Sequence, residues 1–180
     1  MLMAVKPMVI IDELSSVTNA SGYASQANDR SGNALHFAQA TAASRPEILN
    51  AELTGGRVLR FDGANDFMSC STSAALGLYR NTGAGWVFAL YKKRGTDGSA
   101  LDKTLFRSHT NAGAARLSLQ VGGSNSGANR PELGVRRLDG DSFASLGSSG
   151  PNAGAWVMVL AAQNWASRSG TLYINGAVDA

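Results

Sequence analysis

The sequence predicts an all-β protein of the antiparallel sandwich class, one domain spanning residues 1–180, and three observations carry that expectation. Short apolar runs alternate with period two rather than 3.6. Glycine, at 21 of 180 residues, exceeds its usual share of roughly 7% and gathers between those runs, where turns are needed. No segment repeats apolar residues at a convincing helical spacing. Strands divided by turn signals describe a two-layer β structure rather than an alternating α/β chain.

Taken in order, the run Pro7-Met8-Val9-Ile10-Ile11-Asp12 is β-branched, ends on an acid and predicts the first strand. Residues 14–46 are rich in Ser, Ala, Asn and Gly, and the stretch 28–33 (Asn-Asp-Arg-Ser-Gly-Asn) has turn chemistry. The alanines between Ala34 and Ala43 permit a helix without forcing one. From Arg57 the period-two pattern takes over: Leu59 and Phe61 share one face, and Val58, Arg60 and Asp62 the other. Gly63-Ala64-Asn65 turns the chain into a second run, Asp66 to Cys70.

The run from Trp86 to Tyr91 is apolar on both faces, as expected of a strand central to two layers. Leu117, Leu119 and Val121 alternate inward along 116–121, and 132–136 repeats the pattern over a shorter length. Trp156 to Leu160 is again apolar on both sides. Thr171 to Ile174 reads as a strand, and Asn175-Gly176 is a strong two-residue hairpin signal. Only Ala177 to Ala180 follow to supply the returning strand, so the sheet is expected to lack its C-terminal strands.

Composition narrows the function classes. Sixteen basic residues against thirteen acidic ones give a net charge of +3, too little and too dispersed for a phosphate-tracking surface, so no nucleic-acid partner is expected. The densest cationic run, Lys92-Lys93-Arg94, reads as a strand end entering a solvated loop. One cysteine, Cys70, excludes an internal disulfide and a multi-cysteine zinc site, and its apolar surroundings suggest an inert buried thiol. No apolar run reaches the roughly 20 residues of a membrane helix. Lys6 and Pro7 interrupt the N-terminal apolar stretch, which lacks a small-residue cleavage site, so neither membrane insertion nor a signal peptide is expected.

At residues 58–68, Val-Leu-Arg-Phe-Asp-Gly-Ala-Asn-Asp-Phe-Met resembles the FDGxxDF/Y signature of laminin-G-like, concanavalin A-like lectin/glucanase jelly-roll domains. The segments 25–33 and 39–46 resemble the lead-in of that family, with Ala27 standing where relatives often carry Trp. Trp86, the stretch 137–142, Trp156 and Leu172-Tyr-Ile-Asn-Gly176 fall in the expected order. The resemblance covers about residues 7–180 and is closest to versions found on bacteriophage virion and tail proteins. It implies a two-sheet antiparallel jelly roll that is a non-enzymatic structural or adhesion protein of a phage particle, decorating the capsid or serving the tail. Its location would be the virion. Its partners would be other virion proteins, copies of itself, or a cell-surface glycan. A carbohydrate-binding lectin module of a bacterial protein is the alternative.

The chemistry of an enzyme is sparse. Glycosidases need two carboxyl groups about 5–9 Å apart across the scissile bond. The four glutamates, Glu13, Glu47, Glu52 and Glu132, form no paired run. Asp139 and Asp141 sit two apart, but in a turn-like context. His36 and His109 lie in small-residue segments with no nucleophile elbow, so no catalytic residue and no cofactor are expected. Calcium is the one cation considered: Asp62, Asn65 and Asp66 supply oxygens around Gly63, where the alternative is that the two aspartates cap turn amides. Of the tryptophans, Trp86 and Trp156 are expected in the core, leaving Trp165 as the candidate exposed aromatic.

Overall fold

The computed structural model describes residues 17–53, 56–71, 83–94, 103–109, 115–122, 130–136, 144–148, 154–165, 167 and 169–179. Among them every regular element but one short 3-10 turn is a strand, and every strand pairing is antiparallel. No helix among these residues is long and apolar enough to cross a membrane. The all-β expectation therefore holds. The chain divides into two compact units, Met1–Ala75 and Leu76–Ala180.

In the first unit, β1 (Val17–Ala20) and β2 (Tyr23–Ala27) form a hairpin. Its two-residue turn places Ser21 at φ 56° and Gly22 at φ 88°, the pair of positive φ angles that matches the right-handed twist of the strands. The Asn19 side chain accepts the Gly22 amide at 2.7 Å and closes the turn. β3 (Phe37–Ala38) takes the Gln26–Ala27 end of β2, and β4 (Glu47–Leu53) takes the Tyr23 end. β5 (Gly56–Arg60) pairs with β4, giving the order β1-β2-β4-β5.

The helix that the alanines of 34–43 permit does not form. Side chains offer this backbone other partners: the buried Asp29 carboxylate accepts the amides of Ser31 at 2.8 Å and Leu35 at 3.1 Å, and Gln39 accepts that of Thr41 at 3.0 Å. Such local bonds compete with helical ones. The residues instead form an irregular loop, β3 and a 3-10 turn, Ala42–Ser44. The run from Asp66 to Cys70 makes only a single bridge, Ser69 to Ala38.

The second unit is a sandwich. One sheet has the order β10-β9-β8-β7, from β7 (Lys103–His109), β8 (Ala115–Val121), β9 (Pro131–Val135) and β10 (Ala144–Gly147). The other has the order β13-β12-β11-β6, from β6 (Ala84–Lys92), β11 (Trp156–Asn164), β12 (Ser169–Ile174) and β13 (Ala177–Val178). Leu117, Leu119, Leu133 and Val135 of the first sheet meet Val87, Val157, Val159, Ala161, Leu172 and Ile174 of the second in one core. Leu117, Leu119 and Val121, expected to face inward, are all buried, and Leu117 and Leu119 belong to the core. Asn175 and Gly176 adopt φ 51° and 87°, and the returning strand that their hairpin demands is the two-residue β13.

Three expectations are corrected here. β6 lies at the end of its sheet among the described strands rather than at its centre. Only its Val87, Ala89 and Tyr91 side turns to the core, whereas Trp86, Phe88 and Leu90 are 39%, 52% and 46% exposed. Trp156 is half-buried, with the Lys92 ammonium 6.0 Å above its ring, so neither tryptophan belongs to the core. Trp165, the one candidate for an exposed aromatic, is 9% exposed and packs in the core. A run that is apolar on both faces does not reveal which face the partner sheet covers. The predicted strand at Pro7 to Asp12 lies outside the described residues.

Two core-facing polar atoms, the Tyr91 hydroxyl and the Trp165 indole nitrogen, have no hydrogen-bond partner among the described residues, and burial pushes the Tyr91 phenol well above its ordinary pKa. An unsatisfied buried group costs about 1–3 kcal/mol. Tyr91→Phe should therefore be neutral or stabilising by up to about 1 kcal/mol, whereas Leu119→Ala should cost about 2–5 kcal/mol through the cavity that it leaves. Urea unfolding of the two variants beside the wild type checks both signs.

Candidate functional site

The first unit contains an open cleft of about 630 Å³, lined by Tyr23, Arg45, Glu47, Arg60, Asp62 and Asp66 among others. Strand register builds its floor. Tyr23 on β2 is directly opposite Glu47 on β4, and Glu47 is directly opposite Arg60 on β5. Directly paired residues in adjacent strands share a face about 5 Å apart, so the three side chains form a row across the sheet. Arg60 and Glu47 make an ion pair, with Arg60 half exposed. An exposed pair of this kind is worth about 0–1 kcal/mol. Its larger effect is to fix the two side chains beside Tyr23.

The cleft wall is the turn that follows β5. The Asp62 carboxylate oxygen Oδ1 accepts the backbone amides of Ala64 at 2.8 Å, Asn65 at 3.1 Å and Asp66 at 3.2 Å. The Asp66 Oδ2 in return accepts the Asp62 amide at 2.9 Å. The amides of Ala64 and Asn65 hold the Asp62 carboxyl below its ordinary value of 3.8. The Asn65 side-chain nitrogen donates to the Ala43 carbonyl at 3.1 Å, and the Phe67 amide to the Ser44 carbonyl at 3.2 Å. These bonds tie the turn to the 3-10 segment. Arg45 in turn donates its Nε to the Gln39 carbonyl at 2.9 Å and its Nη2 to the Ala40 carbonyl at 2.8 Å.

The structure brings the sequence-derived calcium candidates together, but in a turn-capping arrangement. Calcium takes six to eight oxygens. Asp62 Oδ1 already accepts three N–H groups, which a cation there would displace, and Asn65 turns its nitrogen to the Ala43 carbonyl. Among the described residues no group of three or more His, Cys, Asp and Glu side chains is placed to hold a metal. In this arrangement Asp62 Oδ1 and Asp66 Oδ2 serve the turn amides.

The remaining candidates are dispersed. His36 accepts the Asp29 amide at its Nδ1, at 3.0 Å, as part of the loop network. Cys70 is half-buried. His109 ends β7, and Asp139 and Asp141 lie outside the described residues. Tyr23 was not legible as a site residue, because it falls in a segment without period. The Ser21-Gly22 dipeptide before it was the available signal, marking a hairpin turn from which a strand emerges. Compared with known proteins, the chain matches no protein-family model, no curated protein and no solved structure.

Turn capping and calcium binding respond differently to substitution of Asp62. Asp62→Asn keeps an oxygen for the same amides and should keep the turn, whereas Asp62→Ala should loosen it. A calcium role would make both substitutions equally damaging and would raise the melting temperature in millimolar calcium over that in chelator; we expect no such rise. Because the folded pKa is lowered, the contribution of Asp62 is present above its unfolded value and is lost as pH falls through the lower folded one. The amide resonances of Ala64 and Asn65 should therefore titrate together, at a pH below 3.8.

Proposed function

We propose that this chain is a non-enzymatic structural or adhesion protein of a bacteriophage particle, decorating the capsid or forming part of the tail or adsorption apparatus. The observation that carries the non-enzymatic part is the engagement of the cleft carboxylates. Glu47 is paired with Arg60, and Asp62 is held ionised by turn amides. A general acid needs the opposite environment, one that raises a carboxyl pKa toward neutrality. The particle setting rests on the resemblance of residues 58–68 and their neighbouring segments to laminin-G-like domains of virion and tail proteins. In this reading the sandwich of the second unit is part of a concanavalin A-like jelly roll, and its partners are other virion proteins or copies of itself. Fold alone does not decide among the roles such sandwiches take.

A second reading, a carbohydrate-binding module of a bacterial protein, is favoured by one feature, an exposed aromatic side chain beside the polar cleft. The two readings differ in where the chain is found. Particles purified from a lysate of the source should contain the chain at a fixed copy number by quantitative mass spectrometry. Its absence from particles, with the chain recovered from the bacterial fraction instead, would rule out the virion role.

A further inference from the structure

We infer that the cleft of the first unit is a subsite for a non-anionic sugar ring, a neutral or amino hexopyranose, with Tyr23 as its stacking platform; this rests on the adhesion reading and names its ligand class.

Three features of the cleft converge on that chemistry. The first is a platform: Tyr23 is 47% exposed at the start of β2, held in place by the closed hairpin turn and by its pairing with Glu47. A lone exposed aromatic is ordinary on a protein surface. Here it borders a concavity whose size falls within the roughly 300–1,000 Å³ typical of small-molecule clefts. A pyranose presents an apolar C–H face to such a ring and hydroxyl groups around its rim.

The second feature is open polar capacity. The Tyr23 hydroxyl, the Asp62 Oδ2 and the Asp66 Oδ1 make no hydrogen bond among the described residues, although the other carboxylate oxygens of both aspartates do. Carboxylate oxygens only accept, so they call for a donor-rich ligand such as a polyol or an amine. Their positions are fixed in advance, because Asp62 and Asp66 are locked into the turn. Preorganisation of this kind lowers the entropic cost of binding.

The third feature is charge. Both arginines already serve the cleft's own framework, Arg60 giving its Nη2 to Glu47 and Arg45 its Nε and Nη2 to two backbone carbonyls. Two guanidinium groups against three carboxylates leave the lining with a net negative charge. Uronates and sialates are repelled; uncharged and amino sugars are not.

The test is an array of immobilised oligosaccharides carrying neutral hexoses, amino sugars, or uronates and sialates, probed with the full chain and three variants whose melting temperatures are checked alongside. The expected result is saturable binding to neutral or amino sugars only. Tyr23→Ala should weaken it about tenfold, whereas Tyr23→Phe, which keeps the ring and loses the hydroxyl, should weaken it about threefold. Phe88→Ala, which removes a half-exposed aromatic of the second unit, should bind as wild type. Binding that is equal in wild type and Tyr23→Ala, a preference for uronates, or no binding to any class would each overturn the inference. None of these results bears on the particle copy number, so failure of the subsite and failure of the adhesion reading remain distinguishable.

Discussion

Among the described residues no α-helix satisfies its own backbone groups, so the strands must find their hydrogen-bond partners sideways, and that constraint sets the rest of the structure. Lateral pairing makes register the decisive variable, because slipping by one residue turns every side chain to the opposite face. The register is pinned where the chain reverses. Ser21-Gly22 and Asn175-Gly176 adopt the paired positive φ angles of tight hairpins. In the second unit the fixed register delivers Val157, Val159 and Ala161 to one side of β11, where they meet the leucines of β8 and β9. In the first unit it delivers Tyr23, Glu47 and Arg60 to one row.

The cleft follows from that row plus a wall of side-chain-to-backbone bonds. Asp62 and Asp66 bond the backbone of their own turn and Arg45 that of residues 39–40, so these polar residues that border the cavity also hold its shape, while Asn65 and Gln39 tie the turn to the 39–44 segment. This double duty bears on chemistry. A carboxylate stabilised in its charged form by amide donors is a poor proton donor near neutral pH and a good acceptor for a hydroxyl or ammonium group.

Much of the fold was legible where periodicity was clean. Leu117, Leu119 and Val121 alternate without ambiguity, and the Asn175-Gly176 turn announced its hairpin. Legibility failed where a segment was apolar on both faces. Trp86, Phe88 and Leu90 read as core, yet the sandwich core takes only the alternate residues Val87, Ala89 and Tyr91. Trp165 follows two polar residues, which made it the candidate for exposure, but its position directly after β11 carries it into the core. The region 28–46 hid its structure for a different reason: Asp29, Gln39 and Arg45 organise it through single side-chain bonds that no periodicity records. The aspartates of the turn were visible from the sequence, but their neighbour Tyr23 required the register of three strands.

In the proposed reading, the working surface of this protein is the row and turn of its first unit. The most direct measurement is a titration of isotope-labelled protein with a neutral oligosaccharide, followed by amide chemical shifts. The expected result is saturable shifts concentrated at residues 21–23, 45–47 and 60–66, around the ring of Tyr23 and the Asp62–Asp66 turn. Shifts gathered on the strands of the second unit, with the first unit unmoved at saturation, would contradict it.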